Sequence, residues 1–338
     1  MDFWLCYNTP STKKEGLLQL PKKIFERKVK LSYKNTLITG PKRVGKTFLV
    51  FNFLKNFKGR YKYIDFKDHR EKDLNFEGVD LVIFDNYDFQ IPLPDTTTFV
   101  ISEKDITLDG FEKIELNGLD FEEFFSFDNT TNINQTFDRF LRLGNFPKLF
   151  NEEYFKDEYL KETFELLPYN KKILAFFFSH IGEKFTLYQI YQILKKDMKI
   201  SKDSFYKETA ELLKNRIIFE VNKFNSPKSP KKFFAYNFAF KSIMTTRKNP
   251  LHIFENIIFL ELNKKELYYK DTLSFYLPEE KRGILVLPFA NEEIALEKLK
   301  KVNDVEKVDI ITISNEFELN YDKFNVEVVP FWRWRFAE

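Results

Sequence analysis

An octapeptide with a glycine near each end, Gly40-Pro-Lys-Arg-Val-Gly-Lys-Thr47, constrains this chain more than any other feature. It follows the apolar run 36–39 and precedes the amphipathic stretch 48–54, which predicts a strand, a tight loop and a helix. Glycine permits backbone conformations that a Cβ disfavours, so successive N–H groups of such a loop can converge on phosphate oxygens. The helix that follows adds the positive end of its dipole. Residues 40–47, the glycine loop, are therefore predicted to bind phosphate.

The side chains of the glycine loop have distinct predicted roles. Lys46 would reach the β- and γ-phosphates of a nucleotide, and the Thr47 hydroxyl would be a ligand of Mg²⁺. The predicted cofactors are ATP and Mg²⁺, with GTP left open as an alternative. The predicted nucleotide-binding residues are Gly40, Pro41, Lys42, Arg43, Val44, Gly45, Lys46, Thr47 and Phe48.

A loop of this kind needs an acid at the end of a neighbouring strand to help hold the hydrated Mg²⁺. The apolar run that ends at Asp85 fits, so Thr47 and Asp85 are the predicted metal-binding pair. Many such ATPases place a glutamate at the next position to deprotonate the attacking water, but this chain has Asn86 there. An amide can position water but cannot take its proton. Slow or absent hydrolysis is therefore predicted.

Other polar side chains could compensate for Asn86. Asp88 could supply a carboxylate, whereas Asp65, at the end of a flanking strand, is a poorer candidate. Ser102 could hydrogen-bond the γ-phosphate or the water, and an ordinary turn residue at a strand end is the equal alternative. The predicted catalytic residues are Lys46, Asp85, Asn86, Asp88 and Ser102.

Apolar segments at 61–66, 79–86, 97–102 and 114–116 predict further strands interleaved with helices. This pattern is typical of an α/β fold with a mostly parallel sheet covered on both faces, here the sheet of a P-loop NTPase. Ligands of such sheets bind at the carboxyl ends of the strands, which is where Gly40, Asp85 and Ser102 are expected.

Composition narrows the remaining possibilities. The 54 basic and 51 acidic residues give a net charge of +3, which neither requires nor excludes a nucleic-acid partner. A single cysteine excludes an internal disulfide, and with only three histidines a structural zinc site is not expected. No apolar run approaches the ~20 residues that span a bilayer. A cytoplasmic protein without a membrane partner is the expectation.

From about residue 160 the apolar residues follow helical periodicity. The predicted elements are helices at 171–182, from 186 and at 203–215, strands at 217–221 and 233–236, and a hairpin tip at 222–232. Three helices followed by a hairpin predict a winged helix-turn-helix. Thr186 and Gln189 have the spacing of a capping box at the start of the second helix.

A winged helix offers a recognition helix to the DNA major groove and a wing to the backbone. The candidate DNA contacts are Lys202, Tyr206, Lys207 and Lys214 on the helix, and Lys223, Lys228, Lys231 and Lys232 on the wing. Such lysines predict salt-sensitive, sequence-tolerant binding. Glu208 and Glu211 on the same helix would repel the phosphate backbone of DNA. A protein partner is the open alternative.

Several segments together resemble one known family. They are the glycine loop, the run 81–85, the segments 116–124 (Leu-Asn-Gly-Leu-Asp-Phe-Glu-Glu-Phe) and 140–147 (Phe-Leu-Arg-Leu-Gly-Asn-Phe-Pro), and 328–332 (Val-Val-Pro-Phe-Trp). Over nearly its whole length the chain resembles the P-loop ATPases of the AAA type that carry a DUF4143-like C-terminal region, close to the archaeal ATPase group.

The predicted divisions are an N-terminal extension (1–32), an ATPase core with short linker helices (33–150), a winged-helix domain (151–250) and a C-terminal domain (251–338). The resemblance implies that the core is a P-loop NTPase sheet of the ASCE/AAA type and that the C-terminal domain is a degenerate relative of the PD-(D/E)xK restriction endonucleases. It also implies that 144–147 contacts the nucleotide region. This chain departs from the family at Asn86 and at Glu103-Lys104, where the family has Glu and Gly-Ser. An arginine usual before the segment 116–124 is absent, and Arg139 and Arg142 are weak substitutes for it.

A nuclease of that fold needs an Asp on one strand and Glu-x-Lys on the next. The corresponding positions carry Ser274, Pro288 and Ala290, which leaves Glu255 on the preceding helix. Without two carboxylates no Mg²⁺ is held, so an inactive nuclease domain is predicted. The alternative is a shifted strand register, in which Asp271 would supply the missing acid.

Two functional hypotheses follow from the sequence. The first is an ATP-binding protein, a slow ATPase that couples MgATP to a winged-helix output domain. The second is a non-hydrolysing, nucleotide-gated DNA-binding regulator or scaffold.

Overall fold

The computed structural model describes residues 20–21, 24–69, 73–89, 91–128, 132–150, 153–246, 249–262 and 266–337. The chain divides into two compact units, the first ending at Asn117 and the second beginning at Gly118. The boundaries expected at 150 and 250 both fall inside the second unit and stay predictions. Most of the expected N-terminal extension lies outside the described residues.

The first unit contains a parallel β-sheet. Its elements are β1 (Thr36–Thr39), α1 (Lys46–Leu54), β2 (Tyr61–Asp65), β3 (Leu81–Asp85), β4 (Thr97–Ser102) and β5 (Glu112–Glu115). The strand order is β2-β3-β4-β1-β5, and every pair is parallel. The predicted α/β fold with a parallel sheet is confirmed for this unit, and it fits a P-loop NTPase.

The central strands of this sheet are buried because they are apolar on both faces, as parallel strands require. Every residue of β1 and β3 is buried, and Leu37, Phe84 and Val100 pack in one cluster of the core. The edge strand β5 carries exposed charges instead. The register places Thr39 beside Ser102 and Asp65 beside Asp85. Polar side chains from neighbouring strands therefore meet at one edge of the sheet.

Ten α-helices are described in the second unit, besides two short 3₁₀-helices (Pro147–Phe150 and Glu153–Phe155). The α-helices are α2 (Phe121–Phe127), α3 (Ile133–Leu143), α4 (Lys156–Leu166), α5 (Lys171–Ser179), α6 (Leu187–Asp197), α7 (Lys202–Lys214), α8 (Phe240–Met244), α9 (Pro250–Leu262), α10 (Glu292–Leu299) and α11 (Phe331–Ala337). Thr186 begins α6 with the predicted capping box, in which its hydroxyl accepts the Gln189 N–H at 3.2 Å. No helix in the described ranges has the length and apolar character needed to cross a bilayer.

The second unit also forms one eight-stranded sheet. Its strands are β6 (Lys184–Phe185), β7 (Ile218–Lys223), β8 (Lys231–Ala235), β9 (Tyr268–Lys270), β10 (Leu273–Leu277), β11 (Arg282–Val286), β12 (Lys307–Thr312) and β13 (Asn325–Pro330), in the order β13-β12-β11-β10-β9-β7-β8-β6. The antiparallel hairpin β7–β8 joins the later strands through a parallel pair, with Asn222 opposite Tyr268. The sheet therefore runs across the boundary expected near residue 250.

Candidate functional site

The glycine loop connects β1 to α1 through unusual backbone conformations. Gly40, Arg43 and Gly45 have φ angles of 150°, 71° and 97°. A Cβ at Gly40 would lie 2.1 Å from the Leu116 carbonyl oxygen, so only glycine fits there. Gly45 begins α1, and no side chain among the described residues caps the helix. The first N–H groups of α1 therefore remain for an anion, the arrangement that binds phosphate at helix N-termini.

Lys46 is buried against the glycine loop. Its Nζ donates to the carbonyl oxygens of Gly40 and Pro41, each at 2.8 Å. Burial lowers the pKa of Lys46 to about 8, although the nearby charges of Glu103 and Asp85 oppose that shift. At neutral pH most of the population is therefore still cationic.

Arg27 supports the glycine loop and was not predicted to do so. Its buried guanidinium donates to the carbonyl oxygens of Val44 at 2.9 Å and Asn117 at 3.0 Å. The loop backbone is thereby tied to the chain that follows β5. An isolated arginine in a segment without periodicity carries no sequence signal for this role.

The structure brings the predicted metal-binding pair together. Thr47 Oγ1 donates to Asp85 Oδ2 at 2.7 Å, and Asp85 is 6% exposed. Burial raises the pKa of Asp85, while the hydrogen bonds of Tyr63 and Thr47 oppose that shift. A hydroxyl and a carboxylate are oxygen ligands that suit Mg²⁺. The described residues contain no group of three or more acidic, histidine or cysteine side chains arranged for a metal.

Tyr63 also contacts Asp85, and the sequence did not predict this contact. Its hydroxyl on β2 donates to the same Asp85 Oδ2 at 2.7 Å. Burial raises the pKa of Tyr63, and the charge of Asp85 adds to the effect, so the phenol stays a proton donor. Asp85 is therefore oriented from two sides, by Thr47 and by Tyr63.

The predicted catalytic side chains next to Asp85 are engaged in local hydrogen bonds. Asn86 has a φ of 54°, and its Nδ2 donates to Asp65 Oδ1 at 2.9 Å. Asp88 is exposed in the following loop. Ser102 is buried, and its hydroxyl donates to the Lys104 carbonyl and accepts the Lys104 N–H, both at 3.0 Å. The turn function considered for Ser102 is thus present, while its action on phosphate stays a prediction.

Glu103 connects three loops at this edge of the sheet. Its Oε1 lies 2.8 Å from Lys42 Nζ and 3.1 Å from Lys67 Nζ. Burial works against ionisation, but the ion pair with Lys42 and the charges of Lys46 and Lys67 lower the pKa of Glu103 to about 2. From the sequence, Glu103 is recognisable only as a departure from the resembled family.

In the second unit, helix α7 presents several of the candidate DNA contacts. Lys202, Lys207 and Lys214 are exposed, and Tyr206 is half-buried. Lys202 Nζ lies 5.7 Å from the Tyr206 ring centroid and 5.9 Å from that of Tyr188. Lys228 is exposed in the turn between β7 and β8.

The prediction that Lys232 belongs to an exposed wing is wrong. Strand β8 begins at Lys231, earlier than predicted, so Lys232 lies within the sheet. It is 5% exposed, and its Nζ lies 2.8 Å from Glu255 Oε1 on α9. The ion pair with the buried carboxylate of Glu255 stabilises Lys232 in the protein interior. Lys231 and Lys223 form ion pairs with Glu220 and Asp271.

The side chains of Glu255 and Ser274, two of the positions considered for a nuclease site, form hydrogen bonds within the second unit. Glu255 pairs with Lys232, and the Ser274 hydroxyl accepts the Val286 N–H at 3.2 Å. Because β11 ends at Val286, Pro288 and Ala290 follow the strand. The inactive nuclease domain stays a prediction. Both arginines considered as substitutes are ion-paired within the second unit, Arg139 with Asp128 and Arg142 with Glu153.

A comparison with models of protein families gives a match in the first unit. Residues 32–115, about a quarter of the chain, match a family model described as an AAA domain. Among solved structures, the chain is similar to a Walker-type ATPase of Pyrococcus abyssi, with 14% identity over 63% of this chain and 91% of that chain and a TM-score of 0.39. No curated protein matches the chain. The matched segment runs from before β1 to the end of β5, which supports the predicted P-loop domain of the AAA type there.

Proposed function

We propose that this protein binds a nucleoside triphosphate, ATP in the first place, together with Mg²⁺, and hydrolyses it slowly. The observation that carries the proposal is the contact between Thr47 and Asp85 beside the buried Lys46, at the carboxyl edge of a parallel sheet. Ligands of open α/β sheets bind at this edge. The match of residues 32–115 to an AAA domain supports the same function.

Each part of the site has a role in this proposal. The loop amides and the first N–H groups of α1 would surround the phosphates, and Lys46 would contact the β- and γ-phosphates. Thr47 and Asp85 would hold Mg²⁺, which neutralises phosphate charge and aligns the triphosphate. Tyr63 and Arg27 position Asp85 and the loop backbone.

Slow turnover follows from the side chain after Asp85. General-base catalysis contributes roughly 10²- to 10⁴-fold to a rate. Asn86 cannot accept a proton, and its amide is bound to Asp65. Asp88 is exposed in the loop after β3 and is the remaining carboxylate proposed for the water.

Calorimetry with MgATP and MgGTP, followed by steady-state phosphate release, tests this function. Binding heat with slow release of phosphate is the expected result. Heat without turnover would favour the non-hydrolysing regulator. If neither nucleotide gives heat, the proposal is wrong.

Tyr63→Phe should weaken the Mg²⁺-dependent part of nucleotide binding. The variant removes one hydrogen bond from Asp85 and leaves the bond from Thr47. Loss of a partner that orients a metal ligand costs roughly 10- to 100-fold in metal affinity, and we expect the low end of that range. Titrations of ATP with Mg²⁺ and with EDTA measure the difference. Tyr61→Phe on the same strand is the control; equal weakening with and without Mg²⁺ contradicts the assigned role.

We further propose that nucleotide binding is coupled to the region from α5 to β8. The element order there is helix, strand, two helices and two strands, which supports the winged-helix prediction. The exposed lysines of α7 favour DNA as the partner of this region, whereas the buried Lys232 and the paired Lys231 reduce the contribution of the wing.

Replacing Lys202, Lys207 and Lys214 together by alanine should weaken DNA binding at all sequences alike. Each phosphate contact contributes about −0.9 to the slope of log K against log salt, so three lost contacts should flatten the slope by about 2 to 3. Fluorescence anisotropy with duplex DNA at several salt concentrations measures this. The same change at Lys298, Lys300 and Lys301, which are exposed on and after α10, is the matched control. Absence of DNA binding by the unmodified protein would favour a protein partner.

A further inference from the structure

We propose that Glu103 is a specificity-determining residue. Its carboxylate occupies the anion-binding site formed by the ammonium groups of Lys42 and Lys67, which is the site that the γ-phosphate of a triphosphate would take. Glu103 would thereby weaken the binding of triphosphates relative to diphosphates. The inference rests on the proposed nucleotide-binding function and names the residue that sets the preference between the two nucleotides.

The position of this ion-pair cluster relates it to the γ-phosphate. Lys42 lies in the glycine loop after β1, Lys67 follows β2, and Glu103 follows β4. In the sheet, β3 lies between β2 and β4, and Asp85 ends β3. The cluster therefore joins the loops on both sides of the strand that supplies the metal-binding carboxylate. A triphosphate extending from the glycine loop toward Asp85 would reach this cluster with its terminal phosphate.

The chemistry of the cluster matches that of a bound phosphate. Both lysines contact the same oxygen, Oε1 of Glu103, at 2.8 and 3.1 Å. The side chains of Lys42 and Glu103 are 15% and 29% exposed, whereas that of Lys67 is 58% exposed. Lysine ammonium groups bind carboxylate and phosphate oxygens through the same charge-assisted hydrogen bonds. Since its pKa is about 2, Glu103 is an anion throughout the neutral range.

A triphosphate and a diphosphate would meet this cluster differently. The γ-phosphate would have to displace Glu103 from its two lysines, and the two anions would repel each other at short range. A diphosphate ends before the cluster and would leave the ion pairs intact. Repulsion against one ligand is a recognised source of discrimination between two.

A role for Glu103 as general base is the rival explanation. A base that works at neutral pH has a pKa near the operating pH. Two ammonium groups hold Glu103 ionised and lower its proton affinity, so it accepts a proton poorly. The two explanations predict different results. If Glu103 competes with the γ-phosphate, removal of its carboxylate tightens triphosphate binding. If Glu103 is the general base, the same removal slows turnover and leaves the affinity unchanged.

Glu103→Gln in the full chain tests the proposal. The probes are MgATP, a non-hydrolysable ATP analogue with Mg²⁺, and MgADP, with dissociation constants from calorimetry. We expect triphosphate affinity to rise about tenfold, because a short-range like charge is removed, and MgADP affinity to change by less than about twofold. Glu115→Gln, at the end of β5, is the matched control and should change neither.

A second variant keeps the test decisive if Glu103→Gln is unstable. Lys67→Met removes the more exposed lysine of this anion-binding site and should weaken the binding of triphosphates more than that of diphosphates. Equal changes for ATP and ADP, or slower turnover with unchanged affinity, would overturn the inference. Wild-type binding with an unaltered ATP-to-ADP ratio in both variants removes this inference alone. Failure of every variant and of the wild type to bind nucleotide removes the proposed function with it.

Discussion

Replacing Lys46 by alanine should reduce MgATP affinity by roughly a hundredfold or more and abolish turnover. The side chain is 8% exposed and is the lysine of the loop that would contact the β- and γ-phosphates. Hydrogen bonds to charged groups contribute about 1.5–3 kcal/mol each, and a lysine can make two of them to a triphosphate. Losing both accounts for a change of this size. Calorimetry and phosphate release on the same preparation measure it.

The effect on binding can be separated from an effect on folding. Lys46 also donates to the Gly40 and Pro41 carbonyls, so its loss could loosen the glycine loop. Thermal unfolding of Lys46→Ala should show a loss of about 1–3 kcal/mol, because Gly40 and Pro41 are buried and their carbonyl oxygens lose a donor. Affinities are therefore compared at a temperature at which both proteins remain folded. Lys55→Ala, at the end of α1, is the control and should bind ATP as the wild type does. Wild-type ATP affinity in Lys46→Ala would exclude the glycine loop as the phosphate site.

The parts of the site that could be predicted from sequence are those encoded locally. Residues 40–47 contain their own turn glycines and lie between an apolar run and an amphipathic one, so strand, loop and helix follow from short-range preferences. Strand β4 has the predicted bounds because its apolar run is bordered by polar residues on both sides. Pairing of Thr47 with Asp85 was predicted because parallel strands bring their carboxyl ends to one edge.

The parts that were missed depend on which strands become neighbours. Tyr63 contacts Asp85 because β2 pairs with β3, and Glu103 meets Lys67 because only β3 separates their strands. No local pattern contains the strand order. The error at Lys232 has the same origin. Its carboxylate partner, Glu255, comes from α9, and the burial of a lysine depends on that distant partner.

Replacing Gly40 by alanine should destabilise the first unit by about 3 kcal/mol, combining overpacking with backbone strain. The new Cβ would lie 2.1 Å from the Leu116 carbonyl oxygen, and Gly40 has a φ of 150°. The neighbouring atom belongs to the backbone. The Leu116 N–H donates to the Thr39 carbonyl at 2.8 Å. The chain at the end of β5 therefore cannot move away from Gly40 without losing this hydrogen bond to β1. The melting temperature should fall by roughly 10 °C.

A second glycine with positive φ separates the steric effect from the backbone effect. Gly110 has a φ of 77°, and no described atom lies within 4 Å of a Cβ built there. Gly110→Ala should therefore cost only the conformational strain, about 1 kcal/mol. Differential scanning calorimetry of both variants measures the comparison. If the two substitutions lower the melting temperature equally, the contact of Gly40 with Leu116 does not determine the shape of the loop. A much larger loss at Gly40, accompanied by loss of MgATP binding, is expected because the same contact fixes the backbone that is proposed to surround the phosphates.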